Sequence, residues 1–179
     1  MDKSPEKKLV KEGKFETVME SEGHFYLVDK KDKICVLPYT IDTRGLLDKI
    51  GVMEDWNSTE RSKVITILND YVNTDDDTDL LSANRILFDI TGVNVVEADR
   101  WMFLGAIYSS MASESELQIY AVNITDIGIK DDENVEEEKK AKRFKMMDSS
   151  KVLQSDDMTF LASYLRLFEY FYVNSLQNN

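Results

Sequence analysis

The chain has 179 residues, enough for one domain with a proper core and too few for two comfortable ones. A hydrophobic share of 42%, with eight Phe and eight Tyr, excludes a disordered polymer. Acidic residues outnumber basic ones 34 to 22, and the net charge of −12 repels phosphate backbones, which argues against a nucleic-acid partner.

Cys35 is the only cysteine and His24 the only histidine, so an internal disulfide, a Cys/His zinc site and any Ser-His pair not using His24 are excluded. A reducing, cytoplasmic or otherwise intracellular compartment is the expectation. The start, MDKSPEKKLVKEGK, lacks the apolar region of a signal peptide, and no apolar run approaches the length of a membrane span.

Residues 1–14 are charged and predict a loose arm or short helix. Strand character begins at Phe15. Two short apolar runs, His24–Val28 and Ile34–Leu37, flank the polar stretch Asp29–Lys33 and predict a hairpin, with Pro38 ending its second strand. Cys35 reads as an inert core residue. Residues 40–62 carry the turn markers Asp42, Gly45, Gly51 and Asn57-Ser58, with Met53 and Trp56 as a cap over the core edge or a partner contact. Val64–Leu68 reads as a strand leading into an Asp-rich turn and then a helix of about three turns.

That helix is capped by Asp79 or Ser82 and stopped by Gly92. Leu80, Ala83, Leu87 and Ile90 form the stripe expected to pack on a sheet. The stretch YVNTDDDTDLLSANRILFDITGV, Tyr71 to Val93, resembles the signature of the Nudix hydrolases, G-x5-E-x7-R-E-U-x-E-E-x-G-U with U aliphatic. Without a gap, Arg85, Leu87, Gly92 and Val93 fall on the family's Arg, first aliphatic and closing pair. The opening Gly falls on Tyr71, the first Glu on Asp77, the Glu after the Arg on Ile86, and the paired Glu residues on Asp89 and Ile90. In the family, carboxylates at i, i+3 and i+4 share one helix face and hold Mg²⁺ or Mn²⁺ against a diphosphate. Here Ile86 and Ile90 have no oxygen to give. The resemblance, which spans roughly residues 14 to 125 by its succession of strands, thus implies the fold without the reaction, with at most a weakly held magnesium at Asp77 and Asp89. Arg85 is assigned a structural role, tethering the loop before the helix.

Past the box, Val93–Val96 predicts a short strand, Arg100–Tyr108 a buried strand containing Trp101, and Leu117–Ile124 its partner. Residues 128–154 read as a charged, solvated connection with i,i+4 pairs such as Glu136–Lys140 that support a helix. A final helix over residues 155–179 starts at Ser155 and packs on the core. Its predicted core stripe is Leu161, Tyr164, Leu165, Phe168, Phe171, Tyr172 and Leu176. Phe160, Leu167, Tyr170 and Val173 fall outside that stripe. Phe160, Leu167 and Tyr170, with Trp56, are therefore the partner-binding candidates.

The fold class expected is α/β (α+β), a Nudix-like α/β/α sandwich with a mixed sheet, its core over 15–127 and a long C-terminal helix. The function expected is a catalytically inactive binding or structural subunit, joined to protein partners or to itself, with no catalytic residue, no metal, no nucleic acid and no membrane. Few Gly and Pro beside abundant Asp, Asn and Lys suit an AT-rich genome, for which a bacteriophage virion component is one identity. The alternatives are a sensor that holds an ADP-ribose-like nucleotide without turnover, and a weak residual diphosphohydrolase using Asp77, Asp89 and Glu136–Glu138.

Overall fold

The computed structural model describes residues 7–13, 16–29, 32–57, 62–73, 75–108, 116–129 and 142–177. A three-stranded antiparallel sheet comes first: β1 (Lys8–Glu12), β2 (Glu16–Ser21) and β3 (His24–Asp29). Two expectations change here. The charged arm carries a strand from Lys8 to Glu12. The first hairpin is β2–β3, turning at Glu22-Gly23, where both residues take positive φ. The runs at 24–28 and 34–37 belong to different sheets, because an apolar run names a strand and leaves its partner open.

The main sheet has seven strands around β4 (Lys33–Ile41). On one side β4 runs parallel to β9 (Glu116–Asn123), which pairs antiparallel with β8 (Trp101–Tyr108) at the sheet's edge. On the other side the sheet forks. The end of β4 pairs with the start of β5 (Leu47–Asn57), and the two then diverge. Into the gap go β6 (Ser62–Thr66), paired with β5, and β7 (Leu68–Tyr71), paired with β4. The far edge is β10 (Lys142–Asp148), antiparallel to β5.

The fork explains why Pro38 does not end β4. Pairing with β7 reaches Val36 and pairing with β5 begins at Tyr39, so Pro38 sits where neither ladder needs an N–H. Gly51, expected at a turn, instead lies inside β5. A Cβ there would come within 2.9 Å of the Phe144 ring and 3.0 Å of the Pro38 Cβ, so glycine lets two strands and a proline converge. The segment read as a charged connection ends in β10 and a 3₁₀ turn, Ser149–Gln154. The i,i+4 pair of residues 136 and 140 lies outside the described residues. Residues 93–97 form no strand, although Val93 and Val95 are buried.

β4 is buried on both faces, and its alternation separates two cores. Cys35, Leu37 and Tyr39 join Ile50, Ile119, Phe160, Tyr164 and Leu167 on the side of α2 (Met158–Gln177). Ile34 and Val36 join Leu68, Ala83, Ile86, Leu87 and Val122 on the side of α1 (Asp79–Thr91). A mixed sheet between two helices is the expected sandwich. No helix among the described residues is long and apolar enough to cross a membrane.

The phase of α2 differs from its predicted stripe. Tyr164 is buried and Leu161 and Phe171 pack at the core as expected, but Phe160, Ser163 and Leu167 are buried as well, while Leu165, Phe168 and Tyr172 are about half exposed. Phe160 and Leu167, proposed from sequence as partner contacts, have no exposed surface at all. Two polar side chains lie toward the core with partners, one within the helix and one across to β8. The Ser163 hydroxyl donates to the Thr159 carbonyl at 2.7 Å. Arg166 donates to the Leu104 and Ala106 carbonyls of β8 at 2.9 and 3.0 Å. Asp157 caps the start, accepting from the Phe160 N–H at 3.0 Å, and Ser155 instead ties the preceding turn to the Ile65 carbonyl.

Candidate functional site

The segment from β7 into α1 is held by one arginine. Thr78, one residue before the predicted Asp79, caps α1 by accepting from the Leu81 N–H at 3.2 Å. Gly92 ends it in the left-handed region at φ 72°, where its N–H donates to the Phe88 carbonyl. Arg85, on the second turn, donates from Nε to the Asp76 carboxylate at 3.0 Å and from Nη2 to the Tyr71 carbonyl at 3.0 Å. Its Nη1 lies 3.5 Å from Asp89 and 3.9 Å from Asp70. Asp76 also accepts from the Ser82 hydroxyl at 2.6 Å. The Ser82 hydroxyl and then the Arg85 guanidinium hold the Asp76 carboxyl below its ordinary range. The fork of donors thus pins the last residue of β7 and the loop after it to the helix.

Laid on the chain without a gap, the family pattern puts its first Glu on Asp77. Among the described residues Arg85's carboxylate partners are Asp70, Asp76 and Asp89, and Asp77 is an exposed turn residue that is not one of them. In the run Asp75-Asp76-Asp77 a gapless register cannot tell which carboxylate turns inward. The capping spacing of Thr78 and Ser82 was the available signal.

Ile86 and Ile90 face the fork of the sheet. Ile86 is 1% exposed and packs with Ile34, Val36 and Leu68, and Ile90 packs at the edge of the same core. Together with Met53, Thr66, Ile67, Asn69 and Asp70 they line a cleft of about 290 Å³. The side-chain oxygens of this lining belong to Thr66, Asn69 and Asp70. Asp89 is exposed and lies against Arg85, and Glu54 on β5 is matched by Lys145 at 2.6 Å and Lys63 at 3.0 Å. Among the described residues no group of three or more His, Cys, Asp or Glu side chains is placed to hold a metal ion. This donor set does not fit a cluster of magnesium ions, each of which wants an octahedron of oxygens.

Of the partner-binding candidates, Tyr170 is 46% exposed and lines a second, open groove of about 510 Å³ between α2 and Met102–Leu104 of β8. Trp56 is the last residue but one of β5, and its side chain lies outside the described residues. Trp101 is half-buried, its Nε1 donating to the Val95 carbonyl at 3.0 Å. The exposed aromatics of α2 that the sequence reading missed are Phe168 and Tyr172.

The architecture matches a solved one. The crystal structure of an ADP compounds hydrolase, a Nudix enzyme, aligns with a TM-score of 0.63 over 97% of this chain and 98% of that chain. The fold is Nudix-like. At 13% identity the likeness is one of fold alone. No sequence profile of a protein family matches the chain, and no curated protein matches it in sequence. Within the Nudix-like fold, α1 is the helix that carries the resemblance to the family signature, and the cleft it lines with the forked sheet is the candidate site.

Proposed function

We propose that this chain is a catalytically inactive Nudix-fold protein that serves as a binding or structural subunit. One observation carries the reading: Ile86 and Ile90 are the α1 side chains that line the cleft at the fork. Cleavage of a phosphoanhydride needs cations there to gather the charge of the leaving and attacking oxygens. Two aliphatic side chains, one aspartate, an asparagine and a threonine do not build that centre. Arg85 and Asp76, kept in place, then serve to dock the loop on the helix rather than to position a metal.

The structural neighbour's substrate class, ADP compounds, motivates a second reading in which the cleft holds such a nucleotide without cleaving it. Charge weighs against this: among the described residues the lining carries one acid, Asp70, and no Lys or Arg to meet a diphosphate. The test is incubation of the purified full chain with ADP-ribose and Mg²⁺ or Mn²⁺, reading AMP release, alongside calorimetry. No AMP and no heat is the expected result. AMP formed in proportion to protein overturns the proposal, and heat without AMP selects the second reading.

A further inference from the structure

At the edge of the main sheet we infer that Arg166 acts as a guard, closing two carbonyls of β8 so that a second copy of the chain cannot add a strand there. This goes beyond the proposed function and holds whatever the α1 cleft binds. An edge strand presents a row of unpaired N–H and C=O groups, which template pairing with another chain unless something blunts them. The two outer edges of this sheet differ in how that is done. β10, KRFKMMD, carries Lys142, Arg143, Lys145 and Asp148, and charges at that density keep foreign strands away. β8, WMFLGAIY, has no charge and no proline, and its Phe103 and Tyr108 are more than half exposed. A long apolar edge of this kind is the type of segment that pairs with its own copy.

What β8 has instead is a bulge filled from α2. Between Phe103 and Gly105 the register with β9 slips by one residue. Met102, Leu104 and Ile107 therefore all pack toward the α2 core, although strict alternation would turn Ile107 away. Gly105 takes φ 93° at this slip, and a Cβ on it would come within 2.8 Å of Arg166 Nη1. Glycine thus opens the space into which the guanidinium fits. Nη1 donates to the Leu104 carbonyl at 2.9 Å and Nη2 to the Ala106 carbonyl at 3.0 Å. These carbonyls stand two residues apart, the spacing at which an added antiparallel strand would bring its donors. One planar fork occupies both, which a lysine could not do.

Among the described residues no strand lies on the outer side of β8, so the edge is closed from within the same chain. Anchoring α2 does not require the arginine, because Phe160, Tyr164 and Leu167 already bury that helix against the sheet. The bulge, the glycine and the fork share one effect, which is to remove two acceptors from an otherwise inviting strand.

The test reads the mass of the full chain by light scattering after size exclusion, and amide exchange along β8 by mass spectrometry. Arg166→Met keeps the stem and removes the donors. Its mass is expected to rise with concentration to about twice that of the parent or beyond, and its β8 amides to exchange more slowly than the parent's. Arg166→Lys, which keeps the charge but cannot span both carbonyls, gives the same reading should methionine cost the fold. Adding Phe103→Lys to Arg166→Met puts a charge on the edge and is expected to restore the parent's mass. Leu167→Ala loosens α2 with the clamp intact, and is expected to lower the melting temperature without a gain in mass. Folded Arg166 variants with the parent's mass overturn the inference, as does association that leaves exchange at β8 unchanged or survives Phe103→Lys. Equal association by Leu167→Ala also overturns it, since pairing would then follow from a loosened helix. None of these readouts involves AMP release, so this inference and the proposed lack of catalysis fail independently.

Discussion

Replacing both cleft isoleucines with glutamate, Ile86→Glu and Ile90→Glu, probes the candidate site directly. Ile86 is 1% exposed, so deleting its side chain from the core forfeits about 2–3 kcal/mol. The introduced carboxyl is desolvated on the core side, and Asp70 lines the same cleft. Both effects raise its pKa in the folded state. Each unit of that rise costs ~1.4 kcal/mol when the group is ionised, and a rise of about one to two units at a cleft open on one side adds roughly 2 kcal/mol at pH 7. The total, about 4 kcal/mol, lowers the melting temperature by roughly 8–16 °C in a chain of this size. The sign with pH follows from the raised folded value. The ionisation part of the penalty is fully present above that value, shrinks as pH falls through it, and is gone below the unfolded value near 4.3, leaving the packing loss. Millimolar Mn²⁺ gives the second readout. A cation held between the new carboxylates, Asp70 and Asn69 stabilises the double variant by ~2.7 kcal/mol at a hundredfold excess over Kd, and leaves the parent unmoved. Differential scanning fluorimetry at several pH values, with and without Mn²⁺, reads both effects. A variant as stable as the parent would show that Ile86 does not pack as described. Equal responses of parent and variant to Mn²⁺ would refute the assignment of this helix face as the place a metal would occupy.

The other expectations are independent of that cleft. Gly105→Ala is expected to destabilise by about 1–3 kcal/mol in urea denaturation. The position has φ 93°, and a Cβ there would come within 2.8 Å of the Arg166 Nη1 that holds the bulged edge of β8; an unchanged midpoint would show that Arg166 does not depend on this approach. Burial, reinforced by the charge of Asp157, pushes the Cys35 thiol up to about 12. Cys35 should therefore resist a thiol reagent in the native protein at mildly alkaline pH and react fully in denaturant; rapid native labelling would contradict its place in the core. Arg100 grips Asp126 through two hydrogen bonds of 2.9 and 2.8 Å and lowers its carboxyl to about 2. A depressed folded value means that the pair's stabilising contribution is present above the ordinary carboxylate range and is lost only as pH falls toward that value. In carboxyl-carbon NMR titration Arg100→Gln should return Asp126 to the ordinary range.

Local signals in this sequence were legible, and partner choice was not. Gly92 reads as a helix stop from its residue type alone and is one, because only a left-handed terminus satisfies the Phe88 carbonyl there. Ile34–Leu37 reads as a buried strand and is one, but nothing within it says that its neighbours are β7 and β9 rather than the run at 24–28. Pro38 and Gly51 were read as breaks because propensity treats them singly. Placed together at the fork, one needs no ladder partner and the other, lacking a Cβ, leaves room for it. The phase of α2 was illegible for a different reason. A helix apolar around most of its circumference gives periodicity little to choose between, so the decision falls to Arg166, which bonds across to β8, while Ser163 can be buried because its hydroxyl is satisfied within its own helix.

The same contrast bears on how the α1 site should be understood. Arg85 makes its contacts to Tyr71, Asp76 and Asp89 within the chain, so the loop and the helix themselves hold its conformation. Ile86 is one with the core around Ile34, Val36 and Leu68, so its identity contributes to folding whatever the cleft does. A carboxylate at that position would have to be stabilised by a cation to be tolerated, whereas isoleucine is stabilised by the sheet itself. Under the reading proposed here, losing the metal therefore left no hole to repair: the substitution that removes a ligand is the one that extends the core, and the arginine clamp persists because the β7–α1 connection needs it in either case.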